Sequence, residues 1–320
     1  MTRYVVLGAG AVGGVVGARL ELAGFDVSLV ARGEHLARLR ADGLTLETPV
    51  GTEVLEVHVA ARPGDLAWAG STVVLLAVKS QQTAAALDDL AAHAPPETPV
   101  VCLQNGVANE AAVLRRFENT YGICVMLPSG HLAPGRVVQR CHPVPGILDV
   151  GRYPGGVDDT CEQVSEDLRR AGFASVPRPD IMAWKHRKLL MNLGNAVQAT
   201  FAPGDATDRL LELVRDEGEA VLAAAGIPVV SVEQDRERRG DLLQSGERHP
   251  DIRGGSTWQS VARGTGDVET DYLTGEVVLL GRLNGVPTPA NVAVQEATRR
   301  LVAARGPVAS LDAAEVLATL

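Results

Sequence analysis

YVVLGAGAVGGVVGARLELAGFDVSLVAR, residues 4–32, is the stretch that decides the fold. It opens with a short run of β-branched residues and breaks at once into glycines. It continues as alanines, valines and leucines that suit a helix stopping at Gly24. A second apolar run, DVSLVAR, closes a β-α-β unit by residue 31. Gly8, Gly10 and Gly13 stand in the order G-x-G-x-x-G, straight after the strand and straight before the helix. Gly8 allows a tight turn, Gly10 lets backbone approach a diphosphate, and Gly13 lets the helix pack on the strand. With Ala11 and Val12, these residues put the N–H groups and positive dipole end of a helix where a dinucleotide diphosphate rests.

The same alternation continues outward. STVVLLAV, TPVVCLQ and YGICVML are further strands, and QQTAAALDDLAAHA and ANEAAVLRRFE between them read as amphipathic helices. Strands alternating with helices predict an α/β, Rossmann-type domain: a parallel, doubly wound sheet covered on both faces. Residues 127–175 are shorter pieces punctuated by proline and glycine, plus one helix, and read as an edge of that sheet. The prolines of SVPRPDI, residues 175–181, mark a boundary, giving a dinucleotide-binding domain over 1–177 and an all-helical domain over 178–320. Helical periodicity occupies 180–200, 206–225, 268–285, 289–304 and 310–320. The polar stretch QDRERRGDLLQSGERHPDIRGGS, residues 234–256, reads as a surface connection.

Composition sets limits on function. In 320 residues the net charge is -9, which argues against nucleic acid or an anionic membrane as partner. The 4 cysteines form no CxxC and no cluster with histidine at metal-ligand spacing, so free thiols and no metal are expected. MTRYVVLGAG lacks the features of a signal peptide, and no run reaches the roughly 20 apolar residues of a membrane span. A cytoplasmic protein is expected.

Ligands of open α/β sheets lie outside the carboxyl ends of the strands, so polar residues following each apolar run are the candidates. Arg32 ends the second strand, where an NAD-binding chain usually carries an acid for the ribose 2′-hydroxyl. A guanidinium suits a 2′-phosphate instead, which points to NADP. His35 and Arg38 add basic character nearby. Lys79, in VKS, is placed to hold a cofactor hydroxyl, an amide or a substrate anion. Gln104, Asn105 and Gly106 follow the TPVVCLQ strand, although Asn-Gly is turn chemistry in its own right. In AWKHRKLLMNLGN, residues 183–195, Trp184, Lys188 and Asn192 share one helical stripe, with Asn195 close to it. Leu189, Leu190, Met191 and Leu193 surround that stripe. A snorkelling lysine and a satisfied amide account for it as well as a cleft-facing site does.

Together these marks resemble the ketopantoate reductase family. They are GAGAVGG, VAR, VKS, LQNG, the pattern W-x-x-x-K-L-x-x-N at Trp184–Asn192, and STWQSVARGTGDVETDYLTGEVVLLGRLNGVPTPAN near the C-terminus. The resemblance covers essentially the whole chain, in order. It implies NADPH-dependent reduction of a 2-oxoacid, ketopantoate above all, to a 2-hydroxy acid. Lys188 would be the general acid, Asn192 would orient substrate and Ser256 would bind its carboxylate. Glu269 would meet the substrate hydroxyl or the cofactor ribose, and Lys79 and Asn105 would hold the nicotinamide end. Lys185 lies three residues before Lys188, and spacing alone does not choose between them. The K-L-x-x-N pattern favours Lys188, with Lys185 or Arg187 as a neighbouring cation.

Three departures touch the substrate contacts. Ala196 stands where the family often has a second asparagine, with Asn195 one residue early. Ser260 replaces a common aspartate, and the interval from Ser256 to Glu269 is one residue longer than usual. They leave room for a relative that reduces another keto acid. A non-catalytic NADP-binding redox sensor is the reading from another class. Apolar faces such as LTGEVVLLGRL predict a homodimer built by residues 180–320.

If Arg32 reads a 2′-phosphate, Arg32→Ala weakens NADPH binding by about 1.5–3 kcal/mol, as expected for a charge-assisted contact. NADH affinity stays where it was. Equal losses for both cofactors in titrations followed by nicotinamide fluorescence would show that Arg32 does not read the phosphate.

Overall fold

The computed structural model describes residues 2–68, 70–244, 254–264, 266 and 268–320. Positions 245–253 of the polar stretch, with Thr265 and Asp267, lie outside the described residues. The chain forms two compact units, Met1–Lys185 with Glu233–His249, and His186–Val232 with Pro250–Leu320. The first division falls inside a helix, whereas the prolines had suggested 177/178.

In chain order the elements begin β1 (Arg3–Leu7), α1 (Ala11–Leu22), β2 (Asp26–Val30) and α2 (Gly33–Asp42). β3 (Leu44–Thr48), β4 (Gly51–Leu55), β5 (His58–Ala60) and β6 (Thr72–Leu76) follow. Next are α3 (Thr83–Ala91), β7 (Val100–Cys102), α4 (Asn109–Leu114) and β8 (Thr120–Met126). β9 (Ser129–Ala133), β10 (Arg136–Gln139), β11 (Ile147–Arg152) and α5 (Asp159–Arg170) lead to α6 (Ile181–Thr200). The remaining helices are α7 (Asp205–Ala224), α8 (Val232–Arg239), α9 (Ser256–Ala262), α10 (Thr274–Asn284), α11 (Pro289–Ala303) and α12 (Ala313–Leu317).

Seven strands make the main sheet, in the order β11-β8-β7-β6-β1-β2-β5. All pairs are parallel except that β11 runs antiparallel to β8 at one edge. Tyr4, Val5, Val6 and Leu7 of β1 and all of β6 are buried, as expected for strands covered on both faces. From β1 the chain moves to β2 on one side, then returns to β6 on the other. The strand order therefore reverses between β1 and β6, the crevice where such sheets take their ligands.

Residues 127–175 divide between two sheets. β11 is the expected edge strand, but β9 and β10 join β3 and β4 in a separate sheet of order β4-β3-β10-β9. The reason lies in α1, which carries apolar or small residues on all sides and must be covered twice. On the main-sheet side a Cβ on Gly17 would stand 2.6 Å from Leu29; on the other, a Cβ on Gly14 would stand 2.7 Å from Val137 of β10. Leu44, Leu46 and Val137 share one buried cluster with Val15 and Val16.

Part of the polar stretch is likewise no surface connection. It includes most of α8, and Arg238 of that helix reaches Asp149 of β11 through Nε at 2.8 Å and Nη2 at 2.6 Å. Arg178 Nε donates to the same carboxylate at 3.1 Å, as does the backbone N–H of Val176. Asp149 is buried, so it requires these partners. The arginines repeat no local pattern, and only the position of Asp149 on β11 shows what Arg238 is for.

Among its described residues, the regular elements of the second unit are all helices. Leu193, Val197, Leu210, Val214, Val221, Val277 and Val294 form its core, drawn from α6, α7, α10 and α11. Glu217 of α7 accepts from Ala290 N at 2.8 Å and Asn291 N at 2.9 Å, capping α11 where Pro289 begins it. The periodicity over 268–285 becomes helix only from Thr274; Thr270–Tyr272 is a 3₁₀ turn.

Candidate active site

The four adjacent strands β2, β1, β6 and β7 end in Arg32, the glycine turn, Lys79 and Asn105. The structure brings these four features to one edge of the first unit. Gly8 has φ +111°, a left-handed conformation that disfavours a side chain. A Cβ there would also press within 2.8 Å of Val78 N. Gly13 has no room for a side chain at all, since its Cβ would fall 2.0 Å from the Gly8 carbonyl oxygen. At Gly10, by contrast, a Cβ would meet nothing within 4 Å. The space that a diphosphate needs is open where the motif requires it. α1 begins at Ala11 with no side-chain cap and no acid in its first turn, so its leading N–H groups fit an anion.

Arg32 is exposed over 69% of its side chain, with Asp89 of α3 at 3.7 Å. Its guanidinium is thus available to a ligand at the end of β2. Arg38 pairs with Asp42 along α2. His35 does not supply the expected basic character. Its Nδ1 accepts from Gly135 N–H at 2.8 Å, which leaves the proton on Nε2 to donate to the Ala9 carbonyl at 2.8 Å. Burial lowers its pKa, so the ring is neutral and ties the glycine turn to the β9–β10 hairpin.

Beneath Lys79 and Asn105 lies a buried polar network. Gln104 Nε2 donates to the Val78 carbonyl at 2.7 Å and to Thr83 Oγ1 at 2.9 Å. Thr83 in turn donates to Asn109 Oδ1 at 2.9 Å. Asn109 Nδ2 reaches Ser80 Oγ at 3.1 Å and the Asn105 carbonyl at 3.3 Å. The ends of β6 and β7 are therefore fastened to each other below Lys79 and Asn105. Thr83 and Asn109 were not legible as site residues. Their signal was polar side chains at the starts of two helices read as ordinary amphipathic ones.

Lys185 and Lys188 are separated clearly. Lys185 is buried, and its Nζ donates to the carbonyls of Gln104 at 2.8 Å and Ile123 at 3.1 Å, with Glu110 Oε1 also at 2.8 Å. Two of its donors are thus spent on backbone carbonyls, and its charge is matched by Glu110 in a buried ion pair. Lys188 is only half-buried, on the same helix. Arg187 is held by the Val230 carbonyl at 2.7 Å and Glu219 at 3.2 Å.

In the second unit Asn192 is buried, while Lys188 and Asn195 are half-buried on α6. Ser256 is exposed at the first position of α9. The preceding residue, Gly255, abuts Asn195: a Cβ there would stand 2.8 Å from Asn195 Oδ1. Asn195 therefore lies beside Gly255, the residue that precedes Ser256 at the start of α9, despite coming one residue early. Ser260 is buried within α9, and Glu269 is half-buried just before the 3₁₀ turn.

A doubly wound sheet with an open diphosphate turn, followed by a helical unit bearing a Lys-Asn stripe, is the construction of a dinucleotide-dependent oxidoreductase. Comparison with known proteins narrows this class. The family described as ketopantoate reductase PanE/ApbA matches residues 4–155, and its C-terminal part matches residues 180–302. The chain belongs to the ketopantoate reductase family. A 2-dehydropantoate 2-reductase of Pyrococcus horikoshii is 28% identical over 307 residues, covering 90% of this chain and 94% of that protein. The crystal structure of a PanE/ApbA family ketopantoate reductase from Ralstonia eutropha superposes with a TM-score of 0.79 at 27% identity, over 94% of this chain and 99% of that one. A D-mandelate dehydrogenase solved with NADH and anilino(oxo)acetate has the same TM-score, 0.79, at 19% identity over 94% and 99%, and shares the fold.

The neutral state of His35 makes stability depend on pH. Below the ordinary imidazole value of 6.5 the unfolded chain takes up the proton first, while the native ring resists it. Stability is therefore lost as pH falls from there toward the lowered native value. Unfolding midpoints measured from pH 7 to 5 should fall more steeply for the wild type than for His35→Gln. Parallel curves would remove the ring from this account.

Proposed function

We propose that the protein reduces 2-dehydropantoate (ketopantoate) to pantoate with NADPH, in the cytoplasm, as a step of pantothenate and coenzyme A biosynthesis. The observation that carries this reading is the row formed by the open glycine turn, Lys79 and Asn105 along one strand edge, in a chain matched to this family in both parts. The bound dinucleotide supplies a hydride for the carbonyl carbon. Arg32 selects the 2′-phosphate, and the N–H groups at Ala11, Val12 and Gly13 hold the diphosphate. Lys79 and Asn105 keep the nicotinamide end in place.

Negative charge gathers on the carbonyl oxygen during reduction. Lys188 stabilises it and delivers the proton that completes the hydroxyl group. Asn192 and Asn195 orient the substrate, Ser256 binds its carboxylate, and Glu269 holds the new hydroxyl or the cofactor ribose. Ala196, Ser260 and the longer interval to Glu269 favour a second reading at the level of substrate alone, a different 2-oxoacid with the same chemistry.

NADPH oxidation over a panel of 2-oxoacids tests this. Lys188→Ala should lower kcat by about 10²–10⁴ with NADPH binding retained. Fastest turnover of another keto acid would replace the substrate, and no turnover of any would leave an NADP-binding sensor. Full activity in Lys188→Ala would remove the acid.

We also propose a homodimer built by the second unit. The support is α10, where Leu279 and Leu283, one turn apart, are 50% and 71% exposed. Light scattering at micromolar concentration should give twice the chain mass for the wild type and the chain mass for Leu283→Asp. A monomeric wild type would end the proposal.

A further inference from the structure

The buried pair of Lys185 and Glu110 sits where two strands part. β7 and β8 pair in parallel up to Cys102 opposite Gly122, and there the ladder stops. β8 continues to Met126, whereas β7 ends and the chain turns out through Leu103 and Gln104 to Asn105. The carbonyls of Gln104 and Ile123 lie just past that point, one on each strand's continuation. The Lys185 ammonium accommodates both, at 2.8 and 3.1 Å. Glu110, on the helix that follows Asn105, supplies the counter-charge at 2.8 Å. Lys185 is 3% exposed and Glu110 0%. A Cβ on Gly122 would stand 3.1 Å from Glu110 Oε1 and 3.3 Å from Lys185 Cδ, so glycine makes the room that the pair occupies.

We propose that Lys185 is a positioning residue: its ammonium, charge-matched by Glu110, replaces the missing ladder bonds and sets the point at which Asn105 leaves the sheet. This rests on the reading of Asn105 as a contact at the nicotinamide end. A buried charge pair is a costly way to fill space, because apolar residues of similar volume are often as stable. What an apolar filling would not provide is a hydrogen-bond donor aimed at two carbonyls. The network through Gln104, Thr83 and Asn109 holds Asn105 from the β6 side, and Lys185 holds it from the β8 side. Glu110 follows Asn109 directly, so both restraints meet in one short helix.

The test separates positioning from stability. The double variant Lys185→Met/Glu110→Met removes both charges and keeps the volume, so it should still fold, with a thermal midpoint lowered only by the loss of a donor to the two carbonyls. With NADPH and 2-dehydropantoate, its kcat should fall about ten- to a hundredfold, on the scale of an ångström-sized misplacement. NADPH affinity should change little, because the glycine turn is untouched. Lys185→Arg should not restore turnover, since a planar fork does not match three separate acceptors. Gly122→Ala crowds the pair without removing it, and should lower kcat several-fold at an unchanged midpoint.

A well-folded double variant with wild-type kcat would overturn the proposal. Should the double variant not fold, Gly122→Ala decides in its place: an unchanged midpoint with unchanged kcat overturns the proposal, and a lowered kcat supports it. Asn105→Ala tells the two readings apart. If it turns over normally, the role of Asn105 falls and this inference falls with it. If it is impaired while the double variant is not, only the positioning role fails.

Discussion

A helix reading AVGGVVGARLEL has no polar stripe to leave in water, so both of its sides must be covered, and the first unit is arranged to cover them. One side lies on the main sheet, close enough that Gly13 cannot carry a side chain and one on Gly17 would displace Leu29. The other receives β10, with Gly14 against Val137. The close approach on the sheet side also shapes the turn before the helix: Gly13 pressed on the Gly8 carbonyl leaves the front of Gly10 as the open face. The open turn is therefore a by-product of how tightly α1 packs. His35 adds a polar tie across this arrangement, from Ala9 to Gly135.

Buried charge plays a second organising part. Asp149 gathers Arg178 and Arg238 from widely separated stretches, and Tyr4 donates to Asp167 of α5 at 2.7 Å beneath the sheet. Lys185 joins β7, β8 and α4 in the same way. Each of these groups would be costly to leave unpaired in a low-dielectric interior. Each therefore constrains geometry more sharply than an apolar contact of equal area, which tolerates sliding. Arg178 serves twice, since its guanidinium also lies 4.1 Å from the centre of the Trp184 ring. The tryptophan of the W-x-x-x-K-L-x-x-N pattern is in this way a packing partner for an arginine.

Much of the candidate site proposed for this chain was legible from local chemistry. Gly8, Gly10 and Gly13 announce their roles because a glycine requirement is written in a single residue. Arg32, Lys79 and Asn105 follow from the rule that ligands meet the carboxyl ends of parallel strands, and the sheet order brings those ends into one row. Spacing alone did not separate Lys185 from Lys188, because three residues along a helix separate faces without saying which face is buried; the K-L-x-x-N pattern favoured Lys188, and the burial of Lys185 came only with the structure. His35 was misread for a related reason: a histidine near an arginine looks basic until its two ring nitrogens are seen to be spent on backbone.

The residues by themselves determined the alternating strands and helices, the glycine turn and the helical character of the C-terminal part. All of these are carried by periodicity and by glycine or proline, signals that act within a few residues. Only the tertiary structure decided that β9 and β10 leave the main sheet and that α8 belongs to the first unit. It alone showed Lys185 holding two strand ends, and Asn195 lying beside the start of α9. These depend on pairings between residues far apart in the chain, 89 positions in the case of Asp149 and Arg238. A charge or amide carries no mark of its distant partner, so the pairing is settled when the chain closes and each buried polar group must find its complement.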